Sequence, residues 1–258
     1  MIPAECPWRD TLHWFNTIDS TNTYAKKLAA QGAPQGTIVI AESQTSGRGR
    51  LGRSFHSPTG KGMYLSLILR PNCDAQSLMH LTCAVGYATC NAVEKASGIR
   101  PGIKWINDLV LNKKKLGGIL VELSLRPNSS LVDYAIVGIG INCLHDVEDF
   151  PEELQNIATS LYLASSQTLT PSDMSAAVVA ELWHISQQLF TDKAQIMAAY
   201  RTDCITLGQQ IVVIRGDEKR YGTAVDIDLD GQLIVDINGS IEAVGSGEVS
   251  IRGMYGYV

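Results

Sequence analysis

The chain has 258 residues, which is enough for one large domain and one small one. Its formal net charge is -5, whereas general nucleic-acid binding normally needs a basic surface. No run of about 18 apolar residues occurs, and residues 1–10 lack the apolar core of a signal peptide, so we expect no membrane association.

The cysteines do not indicate a metal site or a disulfide framework. The six cysteines include no C-x-x-C pair, and no Cys/His cluster has zinc spacing. Cys83 and Cys90 lie seven residues apart in a helical pattern, so they are predicted to share one buried helix face. We therefore expect a cytoplasmic protein with reduced thiols.

The first part of the chain predicts one helix and two strands around a long loop. Ser20 is a suitable N-cap for a helix that runs to about Gln31, where a glycine follows. Apolar runs at 37–41 and 63–69 predict strands. The residues between them, 43–62, contain five glycines. Loops of this length in a compact domain are usually functional or disordered.

The middle of the chain predicts further helices and strands. Asp74 is predicted to cap a helix that ends at Gly98. Another helix is predicted to begin at Thr170-Pro171, and a last one to span about 193–203. Four strands are predicted between the first and second of these helices, at 103–105, 109–111, 116–123 and 134–141.

After the last helix the pattern changes to short strands joined by tight turns. Asp230-Gly231 and Asn238-Gly239 are typical two-residue hairpin turns. Strands are predicted at 210–214, 221–225, 233–237 and 249–251. This segment predicts a small β-barrel, so we divide the chain into a domain of residues 1–206 and a β-barrel domain of residues 207–258.

The segment from Ser46 to Arg53, Ser-Gly-Arg-Gly-Arg-Leu-Gly-Arg, carries three glycines and three arginines. Glycine lets the backbone turn sharply and approach a ligand closely, and arginine presents a planar fork of donors suited to carboxylate and phosphate oxygens. The pattern predicts a loop that closes over an anionic ligand. A solvated basic loop, or an Arg-Gly segment that contacts RNA, would have the same composition.

Three further motifs accompany this loop, and the four occur in a fixed order. They are Asp19-Ser20-Thr21-Asn22; Gln44 with Gly47 to Arg53; Lys104-Trp105-Ile106-Asn107-Asp108 with Lys115-Leu116-Gly117-Gly118-Ile119; and Gly138-Ile139-Gly140-Ile141-Asn142. Their residue types and spacing resemble the biotin–protein ligase (biotin–acetyl-CoA-carboxylase ligase) family from about Asp19 to Arg252.

The resemblance implies an α+β fold. The catalytic domain would have a mixed, mostly antiparallel sheet flanked by helices, like class II aminoacyl-tRNA synthetases, with a small SH3-like barrel after it. It also implies a two-step reaction. The biotin carboxylate attacks the α-phosphate of Mg-ATP, and a lysine of a biotin carboxyl carrier protein or carboxylase domain then attacks the biotinyl-5′-adenylate.

The resemblance also implies roles for individual residues. Lys115, Arg48 and Arg50 are expected to act in catalysis, and Asp108 and Asn142 to contact Mg²⁺. Phe55 stands where relatives often carry tryptophan. The whole set expected to bind biotin or ATP is Ser20, Thr21, Asn22, Gln44, Gly47, Arg48, Gly49, Arg50, Arg53, Phe55, Lys104, Trp105, Asn107, Asp108, Lys115, Gly118, Gly138, Gly140, Asn142 and Arg252.

Two departures from the family pattern bear on these expectations. Ile106 replaces the usual proline before Asn107, which removes a φ constraint from the turn. Asp19 comes too early in the chain for the N-terminal DNA-binding domain of bifunctional relatives, so the resemblance is to the monofunctional ligases. We expect no specific DNA binding, and a monomer or weak homodimer.

Two other functions remain open at this stage. A lipoate–protein ligase or octanoyltransferase shares the fold, but its usual Arg-Arg-x-x-Gly-Gly-Gly loop is absent. A nucleic-acid-binding module could use the Arg-Gly loop and the small barrel, against which the acidic balance and the lack of interleaved aromatic residues weigh.

Overall fold

The computed structural model describes residues 2–166, 168–246 and 250–253, the last four without their side chains. In this part of the chain a seven-stranded sheet has the order β1-β2-β3-β7-β6-β5-β4. The β1–β2 pair is parallel and the other neighbours are antiparallel. The strands are β1 Leu12–Ile18, β2 Ile38–Gln44, β3 Gly62–Leu69, β4 Gly102–Lys104, β5 Asp108–Leu111, β6 Lys114–Leu125 and β7 Val132–Asn142.

Helices cover both faces of this sheet. They are α1 Thr21–Ala30, α2 Leu81–Ser97, α3 Glu152–Gln155, α4 Leu161–Ser165, α5 Pro171–Gln188 and α6 Lys193–Asp203. Ser20 caps α1 and Gly98 ends α2 in a left-handed conformation, as predicted. The predicted cap of α2 is wrong, because the Asp74 carboxylate accepts a hydrogen bond from Ser77 N in a short 3₁₀ turn ahead of the helix.

Alternation along the strands separates two layers. Odd-numbered residues of β3 and β7, such as Leu65 and Val137, belong to the main core with α2, α5 and α6. Even-numbered residues, such as Ile68 and Ile136, pack against Ala25 of α1. Because successive side chains of a strand point to opposite faces, the even-numbered residues of both strands share the α1 face.

The C-terminal segment forms a five-stranded antiparallel sheet with the order β11-β10-β9-β8-β12. Asn238 and Gly239 both have positive φ and join two strands directly, as predicted. The predicted two-residue turn at Asp230-Gly231 is wrong. A longer connection stands there, because the Asp228 carboxylate accepts from the backbone of Asp230 and Gln232. The strands are β8 Gln210–Arg215, β9 Glu218–Ile227, β10 Leu233–Ile237, β11 Ser240–Val244 and β12 Ser250–Gly253.

The smaller sheet packs directly on the larger unit. The Trp105 indole donates at 3.0 Å to the carbonyl of Gly231, in the connection between β9 and β10. Arg201 of α6 donates to the Ile227 carbonyl at 2.6 Å. We propose a domain boundary at residues 206–207, in the connection between α6 and β8. The fold class expected from the sequence is confirmed, and no helix of the described residues is long and apolar enough to cross a membrane.

Candidate active site

A cavity of about 550 Å³ opens on the α1 face of the large sheet. All of the predicted site residues line it except Gly47 and Arg252. Gly47 lies within the segment between β2 and β3, where a Cβ atom would stand 2.4 Å from the Phe55 carbonyl oxygen. Arg252 belongs to β12, and its side chain lies outside the described part of the chain. The four motifs therefore meet at one place, and a cavity of this size suits a small molecule.

Glycines of β7 form the floor of the cavity. A Cβ atom on Gly138 would stand 2.0 Å from Asn22 Oδ1, and one on Gly140 would stand 2.6 Å from the Phe55 ring. Any larger residue would therefore displace a side chain above the strand. These glycines give space to neighbouring side chains, which is a steric role.

Uncharged side chains form one end of the cavity, which we call the neutral end: Ser20, Thr21, Asn22 and Gln44. Gln44 Oε1 accepts from Thr21 N at 2.9 Å and lies 3.1 Å from Thr21 Oγ1. Ser66 Oγ lies 2.8 Å from Thr21 Oγ1 and 2.6 Å from Asn22 Oδ1. These residues are almost fully buried apart from Gln44. Buried hydrogen bonds of this kind hold polar groups in fixed positions.

Residues 45–61, which we call the Gly-Arg loop, join β2 to β3 and are folded into a short hairpin. Arg48 and Ser54 form an isolated antiparallel bridge. Gly49 N donates to the Arg53 carbonyl at 2.7 Å, and Phe55 N donates to the Gly47 carbonyl at 2.9 Å. The Phe55 ring then meets Tyr64 edge to face, with ring centroids 6.3 Å apart.

Arg48 and Arg50 both donate to groups of the protein. Arg48 forms a bidentate ion pair with Glu122, with both N···O distances at 3.1 Å. Arg50 donates to Asn107 Oδ1 at 3.0 Å and to the Ser246 carbonyl. Burial lowers the pKa of the Arg50 guanidinium below its usual value. Since a guanidinium has five N–H donors, these bonds leave both arginines donors for a ligand.

Lys115 and Asp108 dominate the other end of the cavity, which we call the charged end and which also includes Arg50, Asn107 and Asn142. Lys115 Nζ lies 2.7 Å from Asp108 Oδ1. The backbone of Lys115 is fixed by bonds from its N–H to the Ile157 carbonyl and from Thr159 N to its carbonyl.

The neighbouring lysines have different surroundings. Lys113 lies in a turn with positive φ, and Lys114 donates to the Gln155 carbonyl at 3.1 Å. Neither lysine lines the cavity. Of these three consecutive lysines, Lys115 is therefore the one that lines the cavity.

Two residues of the Lys104–Asp108 motif support the site by donating side-chain hydrogen bonds to backbone carbonyls. Asn107 Nδ2 donates to the Ile119 carbonyl at 2.9 Å while its Oδ1 holds Arg50. Trp105 is buried, and its indole N–H bonds to the smaller sheet. The Trp105–Ile106 peptide bond is cis.

Sequence reasoning missed one wall of the cavity. Phe150, Leu154, Ile157 and Ala158 line it beside the charged end. Behind them the buried His145 ring stacks on Phe150, with ring centroids 4.8 Å apart. Burial lowers the pKa of His145 to about 4. The local sequence signal is weak, because these apolar residues are interspersed with five acidic residues in the stretch 146–158 that follows the Gly-x-Gly-x-Asn motif.

The donor set fits a magnesium ion that arrives with a nucleotide. Mg²⁺ usually binds through one or two carboxylates together with phosphate oxygens and waters. Asp108 supplies one carboxylate at the charged end, and Asn142 supplies an amide held by its bond to the Thr159 carbonyl at 2.9 Å. Within the described residues no cluster of three His, Cys, Asp or Glu could hold a metal ion unaided.

Comparisons with known proteins agree with this geometry. Residues 14–142 match the model of the biotin/lipoate A/B protein ligase family, and residues 206–252 match the biotin protein ligase C terminal domain. The chain is 34% identical to the bifunctional ligase/repressor BirA of Bacillus subtilis, over 93% of this chain and 74% of that protein. It is 31% identical to the biotin–[acetyl-CoA-carboxylase] ligase of Mycobacterium tuberculosis, over 96% of this chain and 91% of that protein.

Solved structures show the same similarity. The biotin protein ligase from Aquifex aeolicus in complex with biotin and ATP superposes with a TM-score of 0.77. It is 30% identical and covers 94% of this chain and 99% of its own.

Proposed function

Because the chain belongs to the biotin/lipoate A/B protein ligase family, we propose that its cavity joins biotin to ATP and then passes the biotinyl group to a protein lysine. The enzyme is a biotin–[acetyl-CoA-carboxylase] ligase, as its relatives are named. Biotin and ATP are its substrates, as they are the ligands of the Aquifex aeolicus structure.

The first step makes an anhydride between two anions. A biotin carboxylate oxygen attacks the α-phosphorus of ATP, the bond to the bridging oxygen breaks, and pyrophosphate leaves. Carboxylate and triphosphate repel each other, so cations must neutralise them before they approach. Lys115 would stand between the two anions, leaving its partner Asp108 as they arrive, and Arg50 would bind a phosphate oxygen.

Orientation supplies the rest of the first step. The neutral end would bind the polar ring of biotin through Thr21 and Asn22, whose positions are fixed by buried hydrogen bonds. The valeryl chain would run along the glycine floor toward Lys115. A carboxylate held in line with the phosphorus reacts faster because little orientation remains to be lost.

Magnesium would be held by Asp108, with Asn142 beside it, and would neutralise phosphate charge.

The second step needs no further charged group. The lysine amine of the acceptor attacks the mixed anhydride carbonyl, the acyl C–O bond breaks so that AMP leaves with the bonding electrons, and the proton lost by the amine passes to water. We propose that the acceptor is a biotin carboxyl carrier protein or carboxylase domain. We also propose that the enzyme acts in the cytoplasm and is a monomer or weak homodimer.

One observation carries this proposal. A single cavity holds an uncharged, hydrogen-bonded end and a lysine–aspartate pair, separated by a glycine floor. Biotin needs both ends, because its ureido ring is neutral and polar whereas its carboxylate is the reacting group. A lipoyl or octanoyl chain lacks a polar ring and would place apolar atoms against the polar Thr21 and Asn22 groups, which disfavours it relative to biotin.

The test is exchange of labelled pyrophosphate into ATP. We expect exchange that requires biotin and Mg²⁺, and transfer of biotin to a carrier domain carrying its lysine but not to the same domain with arginine at that position. Exchange with lipoate or octanoate but not with biotin would overturn the assignment.

A further inference from the structure

Glu122 is an acidic residue in an otherwise apolar stretch of β6. The even-numbered residues Gly118 and Leu120 line the cavity, and Glu122 continues their row toward α1. Only 18% of its side chain is exposed. Burying an apolar residue at such a position would cost less free energy, because a charge removed from water needs partners.

The Glu122 carboxylate binds groups from two separate parts of the site. Its Oε2 atom accepts from Asn22 Nδ2 at 3.0 Å and from Arg48 at 3.1 Å. Its Oε1 atom accepts from Arg48 at 3.1 Å and from Lys26 at 2.5 Å. Asn22 belongs to the neutral end and Arg48 to the Gly-Arg loop, so one carboxylate joins the neutral end of the cavity to this loop.

A purely structural ion pair would not need this arrangement. Lys26, one turn along α1 from Asn22, already neutralises the carboxylate. Arg48 reaches the same carboxylate bidentately from the loop, and bidentate pairs add geometric specificity to the attraction. Burial raises the pKa of Glu122, but bonds from Lys26 and Asn22 and the charge of Arg48 hold it below its usual value, which keeps the carboxylate ionised near neutral pH.

We infer that Glu122 is a positioning residue for biotin and its adenylate, acting as a latch between Asn22 and the Arg48 side of the Gly-Arg loop. Through Asn22 it fixes an amide that faces the biotin ring, and through Arg48 it holds the loop over the same end of the cavity. This inference rests on the proposed function, since it assigns biotin to the neutral end. The charged end does not contact Glu122, so the chemical step itself is not its task.

If Glu122 holds Asn22 and Arg48 in this way, its loss should weaken binding of biotin and the adenylate without slowing the chemical step. Glu122→Gln keeps the shape and an acceptor for Asn22 but removes the charge that holds Arg48. We expect the KM for biotin and the rate of adenylate release to rise about tenfold, as for a lost charge-assisted hydrogen bond. The turnover at saturating biotin and the KM for ATP should stay within about twofold of the wild-type values.

Glu181→Gln is the matched control. Glu181 is also a buried glutamate paired with a lysine, Lys95, at 2.7 Å, but it lies on α5 away from the cavity. It should leave biotin KM and adenylate release at wild-type values. Arg48→Gln breaks the same latch from the loop side without touching the buried sheet. It should raise the KM for biotin and the rate of adenylate release at least as much as Glu122→Gln, since Arg48 also has donors for a ligand, and the double variant should be no more affected in these two quantities than Arg48→Gln alone.

Hydrogen exchange of the protein without substrates gives a second readout. Amide exchange in residues 45–56 should be about tenfold faster in Glu122→Gln and Arg48→Gln than in the wild type and Glu181→Gln. Unchanged loop exchange together with unchanged release, or fully additive effects in the double variant, would overturn the latch. If the wild type lacks biotin-dependent exchange of pyrophosphate, the proposed function fails and the role toward biotin fails with it, whereas the amide-exchange comparison still decides whether the pair holds the loop.

Discussion

The neutral end and the charged end of the cavity are positioned by different kinds of interaction. At the neutral end, Thr21, Asn22 and Ser66 are buried and hold one another through short uncharged hydrogen bonds, and Asn22 also donates to the Glu122 carboxylate. At the charged end, Lys115 and Asp108 are partly exposed and are paired through opposite charges.

The difference indicates a division of labour. Uncharged buried groups cannot exchange partners cheaply, so they select a ligand by shape and hydrogen bonding. A partly exposed ion pair can open at small cost because water solvates both charges. Recognition therefore belongs to the rigid end and charge neutralisation to the end that can rearrange, and the following changes test this separation.

The largest expected effect is at Lys115. Lys115→Ala should slow adenylate formation by about a hundredfold, or about 3 kcal/mol, because a cation between two approaching anions stabilises the transition state more than the separated reactants. The KM for biotin should change far less. Single-turnover formation of the adenylate measures the rate directly.

Two companion variants decide whether one placed lysine is responsible. Lys113→Ala removes a charge from the nearby turn and should leave the rate within about twofold, since solvated surface charges contribute little. Lys115→Arg should restore little activity, because a planar guanidinium does not replace a compact ammonium. Similar losses at both alanine positions would indicate a diffuse basic patch.

The next effect concerns the free energy of unfolding and involves His145, which is buried behind the apolar wall beside the charged end. The unfolded His145 has its ordinary pKa near 6.5, whereas the folded one has a pKa of about 4 because burial disfavours the charged ring. Between these values the unfolded chain binds more protons, so the free energy of unfolding should fall as the pH drops through this window. His145 should account for about 2 kcal/mol of the decrease.

Urea unfolding at pH 7 and pH 4.5 tests this contribution. His145→Phe keeps an aromatic ring against Phe150 and should lose less stability on acidification than the wild type. His184→Asn replaces a histidine that is exposed on α5 in the folded chain, and it should follow the wild type. Identical pH dependence in wild type and His145→Phe would contradict the prediction.

The smallest expected effects come from substitutions of the floor glycines, which test whether the two ends of the cavity bind different substrates. Gly138→Ala would force Asn22 to move and should raise the KM for biotin about tenfold with little change in the KM for ATP. Gly140→Ala displaces Phe55, which we propose lies near adenine, so the KM for ATP should rise more than that for biotin. Steady-state exchange assays measure both constants, and equal effects of both variants on both substrates would contradict two separate ends.

The sequence predicted the regular helices and the four motifs well. Ser20 and Pro171 mark helix starts through local bonding and fixed φ, and the motifs meet in one cavity as expected. Strand β1 was missed because it is an edge strand whose side chains are largely exposed, so it lacks a clear apolar pattern. Helices α3 and α4, of four and five residues, are too short to show helical periodicity.

The support of the site was harder to predict than its members. The apolar run around Glu122 marks a strand, but nothing local shows that Arg48 reaches back to it across the loop. The buried bond of the Trp105 indole joins residues far apart in the chain. Such contacts depend on tertiary packing, which local patterns do not encode. The roles assigned to the individual site residues stay predictions until the variants above are measured.

The bond from Trp105 to Gly231 has a consequence for cooperativity. Buried residues of the smaller sheet, such as Ile227 and Val235, belong to the same hydrophobic core as those of the larger one. Two units that share a core should melt together, so calorimetry should show one transition with matching calorimetric and van't Hoff enthalpies. The C-terminal sheet would then be an integral part of the folding unit, and a chain cut at residue 206 would expose the apolar surface that this sheet covers.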